Sequence, residues 1–128
     1  MEIYQVAEIA NLCRDELTIY SGNDDQILPI LSLGGLGVIS VLSNIIPKDV
    51  HNMVENFLNG NINEAIKMQL DTLKLTSALF SEVNPIPVKA ACNMMGFNAG
   101  IPRLPLIEMS KSGKEKLKSE MINYGLIK

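Results

Sequence analysis

Few side chains in this sequence are equipped for chemistry. His51 is the only histidine. In the helical register around it His51 falls beside the polar side, so it reads as a surface histidine, and no Ser–His–Asp or Cys–His set follows from spacing. Asp24 and Asp25 have the chemistry of an acid–base pair or of metal ligands, but their place at a strand-to-helix turn points to helix capping. Cys13 and Cys92 are the two cysteines. They have no metal-ligand spacing and make no disulfide framework, and each sits on an apolar helical face, the pattern of a buried reduced thiol. Gly34-Gly35-Leu36-Gly37 precedes a strand instead of opening a helix, so it is not a phosphate cradle. It reads as a helix stop followed by a close approach into the strand.

The elements that must carry these residues are uneven. Leu17-Thr18-Ile19-Tyr20 is β-branched and aromatic and ends at Ser21-Gly22-Asn23-Asp24-Asp25. A helical stretch over residues 26–33 follows, with Pro29 tolerated near its first turn, and after the glycines comes the apolar run Val38-Ile39-Ser40-Val41-Leu42. Strand, turn, helix, stop and strand make one βαβ unit. No further strand is legible, yet parallel strands bury both faces and belong to larger sheets. The chain therefore reads as part of something larger. The rest is helical. Residues 3–14 carry Ile3, Val6, Ile9, Ala10 and Cys13 at helical spacing, without a capping residue before them. Pro47 suits a first helical position, with Val50, Met53, Val54, Phe57 and Leu58 on one face and Gly60 as the stop. Asn63 is expected to cap a long helix whose Ile66, Leu70, Leu73 and Phe80 point a stripe at a partner surface. Asn84-Pro85-Ile86-Pro87 forces a corner before a short helix ending at Gly96. After a proline-marked loop, Ser112 and Glu115 are expected to form the capping box of a last helix that stops at Gly125.

Composition narrows the partners. The chain has 128 residues, 47% of them hydrophobic and 20% charged, and a net charge of −3. The size is that of one domain, the apolar share suits surface meant for other protein, and no basic stripe serves nucleic acid. The longest uncharged run, residues 26–47, holds three glycines and two prolines and is a βαβ core, not a membrane span. The N-terminus has no basic region of the secretory kind, so a cytoplasmic location is expected.

Five motifs in order give the chain a resemblance: Tyr20-Ser21-Gly22-Asn23-Asp24-Asp25, the run from Leu33 through Gly34-Gly35-Leu36-Gly37 to Val41, Asn44, Asn84-Pro85-Ile86-Pro87-Val88-Lys89, and Arg103-Leu104-Pro105. Together they resemble the C-terminal part of dihydrodipicolinate synthase (4-hydroxy-tetrahydrodipicolinate synthase), of the pyruvate-dependent class I aldolase superfamily. The resemblance covers the whole chain. It implies an α/β fold, the C-terminal portion of a TIM (β/α)8 barrel with a C-terminal helical extension, divided into residues 1–59 and 60–128.

The resemblance also implies a chemistry. In the family a barrel lysine forms a Schiff base with pyruvate, the enamine attacks aspartate semialdehyde, and the product enters lysine and diaminopimelate biosynthesis. No cofactor is implied. By the same correspondence the Schiff-base lysine lies upstream of this region, so no catalytic residue is assigned here and the chain is expected to be inactive alone. Gly22 would leave room for the ketoacid, the Ile39 carbonyl would face the imine nitrogen, Asn44 would shape the pocket, and Leu33 would lie in the contact that joins dimers into a homotetramer. An imine-forming lysine needs a desolvated pocket that lowers its pKa. None of the lysines here falls in a strand, and Lys89 is the best placed. The expected partners are a missing N-terminal half or copies of the chain. Alternative readings are another pyruvate-dependent aldolase such as N-acetylneuraminate lyase, and a non-enzymatic module that binds the intact synthase.

Overall fold

The structure is a computed structural model and describes residues 3–128. Its elements are α1 (Ile3–Cys13), β1 (Tyr20–Ser21), α2 (Ile27–Leu31), β2 (Gly37–Val38), α3 (Pro47–Leu58), α4 (Ile62–Leu79), α5 (Ile86–Met94) and α6 (Lys111–Tyr124), with short 3-10 turns at Arg14–Glu16, Asp24–Gln26 and Leu42–Asn44.

β1 and β2 pair in parallel, Tyr20 beside Gly37 and Ser21 beside Val38. The ladder is shorter than the strands expected over residues 17–20 and 38–42. Pairing requires both partners to be extended together, and here it runs only from the Leu36 N–H donating to the Ile19 carbonyl to the Ile39 N–H donating to the Ser21 carbonyl. No third strand flanks the pair among the described residues, so the ends leave the ladder early and Leu42 enters a 3-10 turn.

The glycine cluster behaves as its position suggests. Gly34 takes φ +92°, the Gly34 N–H donates to the Leu31 carbonyl and the Gly35 N–H to the Ile30 carbonyl, which closes α2 and turns the chain into β2. A Cβ on Gly35 would stand 2.8 Å from both the Ile30 carbonyl oxygen and its Cγ2. Only glycine fits that approach.

Packing is carried by helices. Ile27 and Leu31 from α2, Met53 from α3, Leu75 and Leu79 from α4, and Leu117 and Met121 from α6 close one core with Leu42. Each such buried side chain is worth about 1.5–3 kcal/mol relative to exposure. Within α4 the inward face is Ala65, Gln69, Thr72, Leu75, Thr76 and Leu79, while Ile66, Leu70 and Leu73, with Phe80 just past its end, are exposed. In α1 only Val6 is buried.

Three capping expectations are corrected. Asn63 lies inside α4; Asn61 precedes it, and its side-chain amide donates to Asn56 Oδ1 at 3.1 Å instead of serving the helix. Ser112 and Glu115 lie inside α6, whose cap is Ser110, with the Gly113 N–H donating to Ser110 Oγ at 3.0 Å. Ser110 also bonds Glu82, which fixes it as the start of the helix. Neither Asp24 nor Asp25 caps α2. Gly60, Gly96 and Gly125 sit at helix ends with positive φ, as their stops require. At its far end α6 is tied to α3 by Tyr124, whose hydroxyl donates to Asp49 Oδ2 at 2.9 Å.

Candidate functional site

The C-terminal ends of β1 and β2 lie side by side, and the chain locks them together. Ser21 is fully buried; its hydroxyl donates to the Asn23 carbonyl at 2.8 Å and accepts from the Asn23 N–H at 3.2 Å, a tight local turn. Gly22, exposed at the crest of that turn, has no atom within 4 Å of where a Cβ would stand. Asp24 is 1% exposed, and Oδ2 accepts from the Val41 and Leu42 N–H groups, both at 3.0 Å. The carboxylate expected to cap its own helix thus caps the turn that follows β2, because those two N–H groups start a 3-10 turn and have no carbonyl behind them.

A second tie comes from α4. Gln69 is buried; its amide donates to the Asp24 carbonyl at 2.9 Å and its Oε1 accepts from the Leu28 N–H at 3.2 Å. One side chain therefore satisfies two backbone groups 41 and 45 residues away and sets the height of the Asp24 turn.

Beyond the end of β2 lies a pocket of about 390 Å³, lined among others by Ile39, Ser40, Asn44, Asn84, Lys89 and Cys92. The Ile39 side chain is 73% exposed, its N–H is held by Ser21, and its carbonyl accepts no hydrogen bond among the described residues. Asn44 donates its amide to the Val41 carbonyl at 2.9 Å. Ile39 and Asn44 share this pocket with the Asn84–Lys89 motif, whereas Gly22 is not in its lining. Leu33 lies apart, half-buried at the end of α2, with its N–H on the Ile30 carbonyl. Cys13 and Cys92 are free and half-buried, so the expectation of buried thiols is corrected: the apolar faces that carry them are only partly covered. His51 is exposed. No lysine lies in β1 or β2. No group of three or more His, Cys, Asp or Glu side chains suited to a metal occurs among the described residues. No helix among them is long and apolar enough to cross a membrane.

Sequence reasoning missed the roles of Asp24 and Gln69. Nothing in the spacing of residues 24 and 69 signals that they meet. It singled out the Asn84–Lys89 motif but not the pocket that this motif forms with Ser40 and Cys92.

A small parallel pair of βα units, with its strand ends at a pocket and helices packed around it, is consistent with part of a (β/α)8 barrel enzyme. Residues 1–123 match the Dihydrodipicolinate synthetase family, and the chain belongs to it. It is 61% identical over 124 residues to the 4-hydroxy-tetrahydrodipicolinate synthase of Caldicellulosiruptor bescii, covering 97% of this chain and 42% of that protein. It is 57% identical over 126 residues to 4-hydroxy-tetrahydrodipicolinate synthase 1 of Clostridium acetobutylicum, covering 98% and 43%. Among solved structures, the dihydrodipicolinate synthase of Thermotoga maritima superposes with a TM-score of 0.92 at 37% identity, covering 98% of this chain and 44% of that one. The synthase of Cyanidioschyzon merolae, solved with lysine bound, gives 0.92 at 39%, covering 98% and 43%. The chain thus spans under half the length of these relatives.

Proposed function

We propose that the chain is the C-terminal part of a 4-hydroxy-tetrahydrodipicolinate synthase, which condenses pyruvate with aspartate semialdehyde through a Schiff base. Residues 1–59 would be the last βα units of the barrel and 60–128 its helical extension. The observation that carries this reading is the Ile39 carbonyl, held at the end of β2 with no hydrogen-bond partner of its own, a free acceptor where an imine nitrogen would need one. Gly22 leaves the neighbouring strand end clear for a small ketoacid. The imine-forming lysine would come from chain outside residues 1–128, and Leu33 would lie in a contact between dimers of a homotetramer.

The test is reductive trapping. The purified chain is incubated with pyruvate and borohydride, alone and mixed with the complementary N-terminal segment of the Caldicellulosiruptor bescii relative, and each polypeptide is weighed. The expected adduct appears on the N-terminal segment in the mixture and not on this chain. A stoichiometric adduct on a lysine of this chain alone overturns the reading. A second reading, a non-enzymatic module that binds an intact synthase, draws on the exposed Ile66, Leu70, Leu73 and Phe80 stripe of α4. Co-elution with full-length synthase, with no adduct on the N-terminal segment in the mixture, would select it.

A further inference from the structure

We propose that the pocket between the Asp24 turn and α4 binds a monovalent alkali cation, held by Asp24 Oδ1 and Thr76 Oγ1. The pocket has a volume of about 510 Å³; Asn23, Asp24 and Asp25 line one side, and Thr76 and Ser77 of α4 stand among the residues of the other. Asp24 is 1% exposed and Thr76 4%. The carboxylate spends Oδ2 on the Val41 and Leu42 N–H groups, while Oδ1 is buried with no hydrogen-bond partner. Thr76 Oγ1 is buried and unpartnered too, so the two atoms do not bond each other. Buried polar atoms are almost always bonded, and a buried charge is paired or holds a metal. Two orphans from separate elements that line one cavity mark a place for a ligand that both can bind.

The lining narrows that ligand. No lysine, arginine or histidine lines the cavity, and neither Asp24 nor Asp25 forms a salt bridge among the described residues. A water molecule would bond the orphaned oxygens but leave the buried carboxylate without a counter-charge, so the ligand brings a positive one. The side-chain groups available to it are carboxylate, hydroxyl and amide oxygens, a hard set; the sulfur and imidazole that zinc and copper favour are missing from the lining. Calcium gathers about six to eight oxygens, usually with several carboxylates, and magnesium demands a near-ideal octahedron. Here one carboxylate is buried, Asp25 is exposed, and no third acidic, histidine or cysteine side chain joins them. One buried negative charge among neutral oxygens matches one positive charge, and the cavity leaves room for the ion to keep part of its water. The site is built from this chain alone and does not rest on the aldolase reading. Its occupant would pin Asp24, and through Oδ2 the turn that follows β2.

Amide exchange at Val41 and Leu42 tests this on the intact chain. It is measured in potassium, sodium and tetramethylammonium chloride at equal ionic strength, and in magnesium and calcium chloride. Potassium or sodium is expected to slow both amides about tenfold once its concentration is about ten times its dissociation constant, because a ligand of the closed turn stabilises that turn in proportion. Tetramethylammonium, too bulky to sit between two oxygens, should leave them unchanged. Thr76→Val should reduce the protection severalfold, and Asp24→Asn should abolish it. In tetramethylammonium chloride Thr76→Val should melt no lower than the native sequence, since it removes a buried hydroxyl that has no partner, and this separates lost binding from lost folding. Equal exchange in every salt would mean that the pocket holds water only, and would overturn the proposal. So would protection that survives Thr76→Val, or protection by magnesium or calcium at lower concentration than by either alkali ion. Reductive trapping reads an adduct on the N-terminal segment, so its outcome is independent of this one.

Discussion

At the scale of single residues, Asp24 and Tyr124 show how charge and burial are used away from any reacting atom. Asp24 Oδ2 holds two backbone N–H groups, and no other acceptor stands ready for them. Asp24→Ala strands the buried Leu42 donor and the part-buried Val41 donor and should cost about 3 kcal/mol, since a hydrogen bond to a charged group is worth about 1.5–3 kcal/mol and orphaned donors add to the loss. Urea unfolding checks the magnitude, and faster amide exchange at Val41 and Leu42 locates it; Asp24→Asn, which keeps a neutral acceptor, should lose less. Tyr124 makes a pH prediction. Burial first, and then the Asp49 carboxylate that accepts its hydroxyl proton, push its pKa well above the ordinary tyrosine value. Below about pH 10 the phenol is protonated in both folded and unfolded chains, so its contribution is intact. Above that the unfolded chain releases the proton while the folded chain keeps it, and stability falls as pH rises. Denaturation midpoints from about pH 8 to about pH 11 should therefore drop more steeply for the native sequence than for Tyr124→Phe, and parallel slopes would refute the assignment.

Among the elements, the legible ones are those whose signals are local. Pro47 opening α3, the glycines closing α2, α3, α5 and α6, and the amphipathic spacing of α4 follow from backbone geometry that each residue dictates by itself. The capping residues were misplaced because an Asn, Asp or Ser near a helix start has several backbone groups in reach, and which one it serves depends on tertiary partners: Asn56 for Asn61, Glu82 for Ser110, the turn after β2 for Asp24. The strand lengths were overread for a related reason, since β-branched residues commit to a ladder only where a neighbour exists. The candidate site divides the same way. Ile39 and Asn44, singled out through motif order, line one pocket, whereas Gly22 is not part of it; Asp24 and Gln69 act on backbone 17 to 45 residues away and leave no periodic trace. The junction of α2 with β2 carries its own prediction. Gly35→Ala should destabilise the chain by about 2 kcal/mol or more, because the added methyl meets the Ile30 carbonyl and the backbone must move. Gly22→Ala, with open space at the same atom, should stay within about 0.5 kcal/mol. Thermal denaturation of the two variants side by side separates a steric requirement from a generic loss of glycine.

For the whole molecule, the decisive feature is the mismatch between a helical core that closes and a sheet that does not. Leu42, Met53, Leu75, Leu79, Leu117 and Met121 are sealed from water, but Leu17, Tyr20, Leu36 and Ile39 flank the two-stranded ladder exposed, and the outer face of α4 carries its own apolar stripe. A ladder of two strands holds no core of its own, and large exposed apolar areas mark surface that other protein covers. The helical part should consequently unfold as a unit while residues 17–22 and 36–39 exchange their amides quickly, because opening the ladder exposes little buried apolar surface. Self-association should follow from the same surfaces. Sedimentation is expected to show mass rising with concentration, and paired charges on the α4 stripe, Leu70→Glu with Leu73→Lys, should shift the chain toward monomer without lowering the melting temperature, since neither side chain is buried. A monomer at every concentration with uniformly slow exchange across β1 and β2 would mean that the two strands are satisfied as they stand, and the view of an open sheet awaiting further strands would have to be given up.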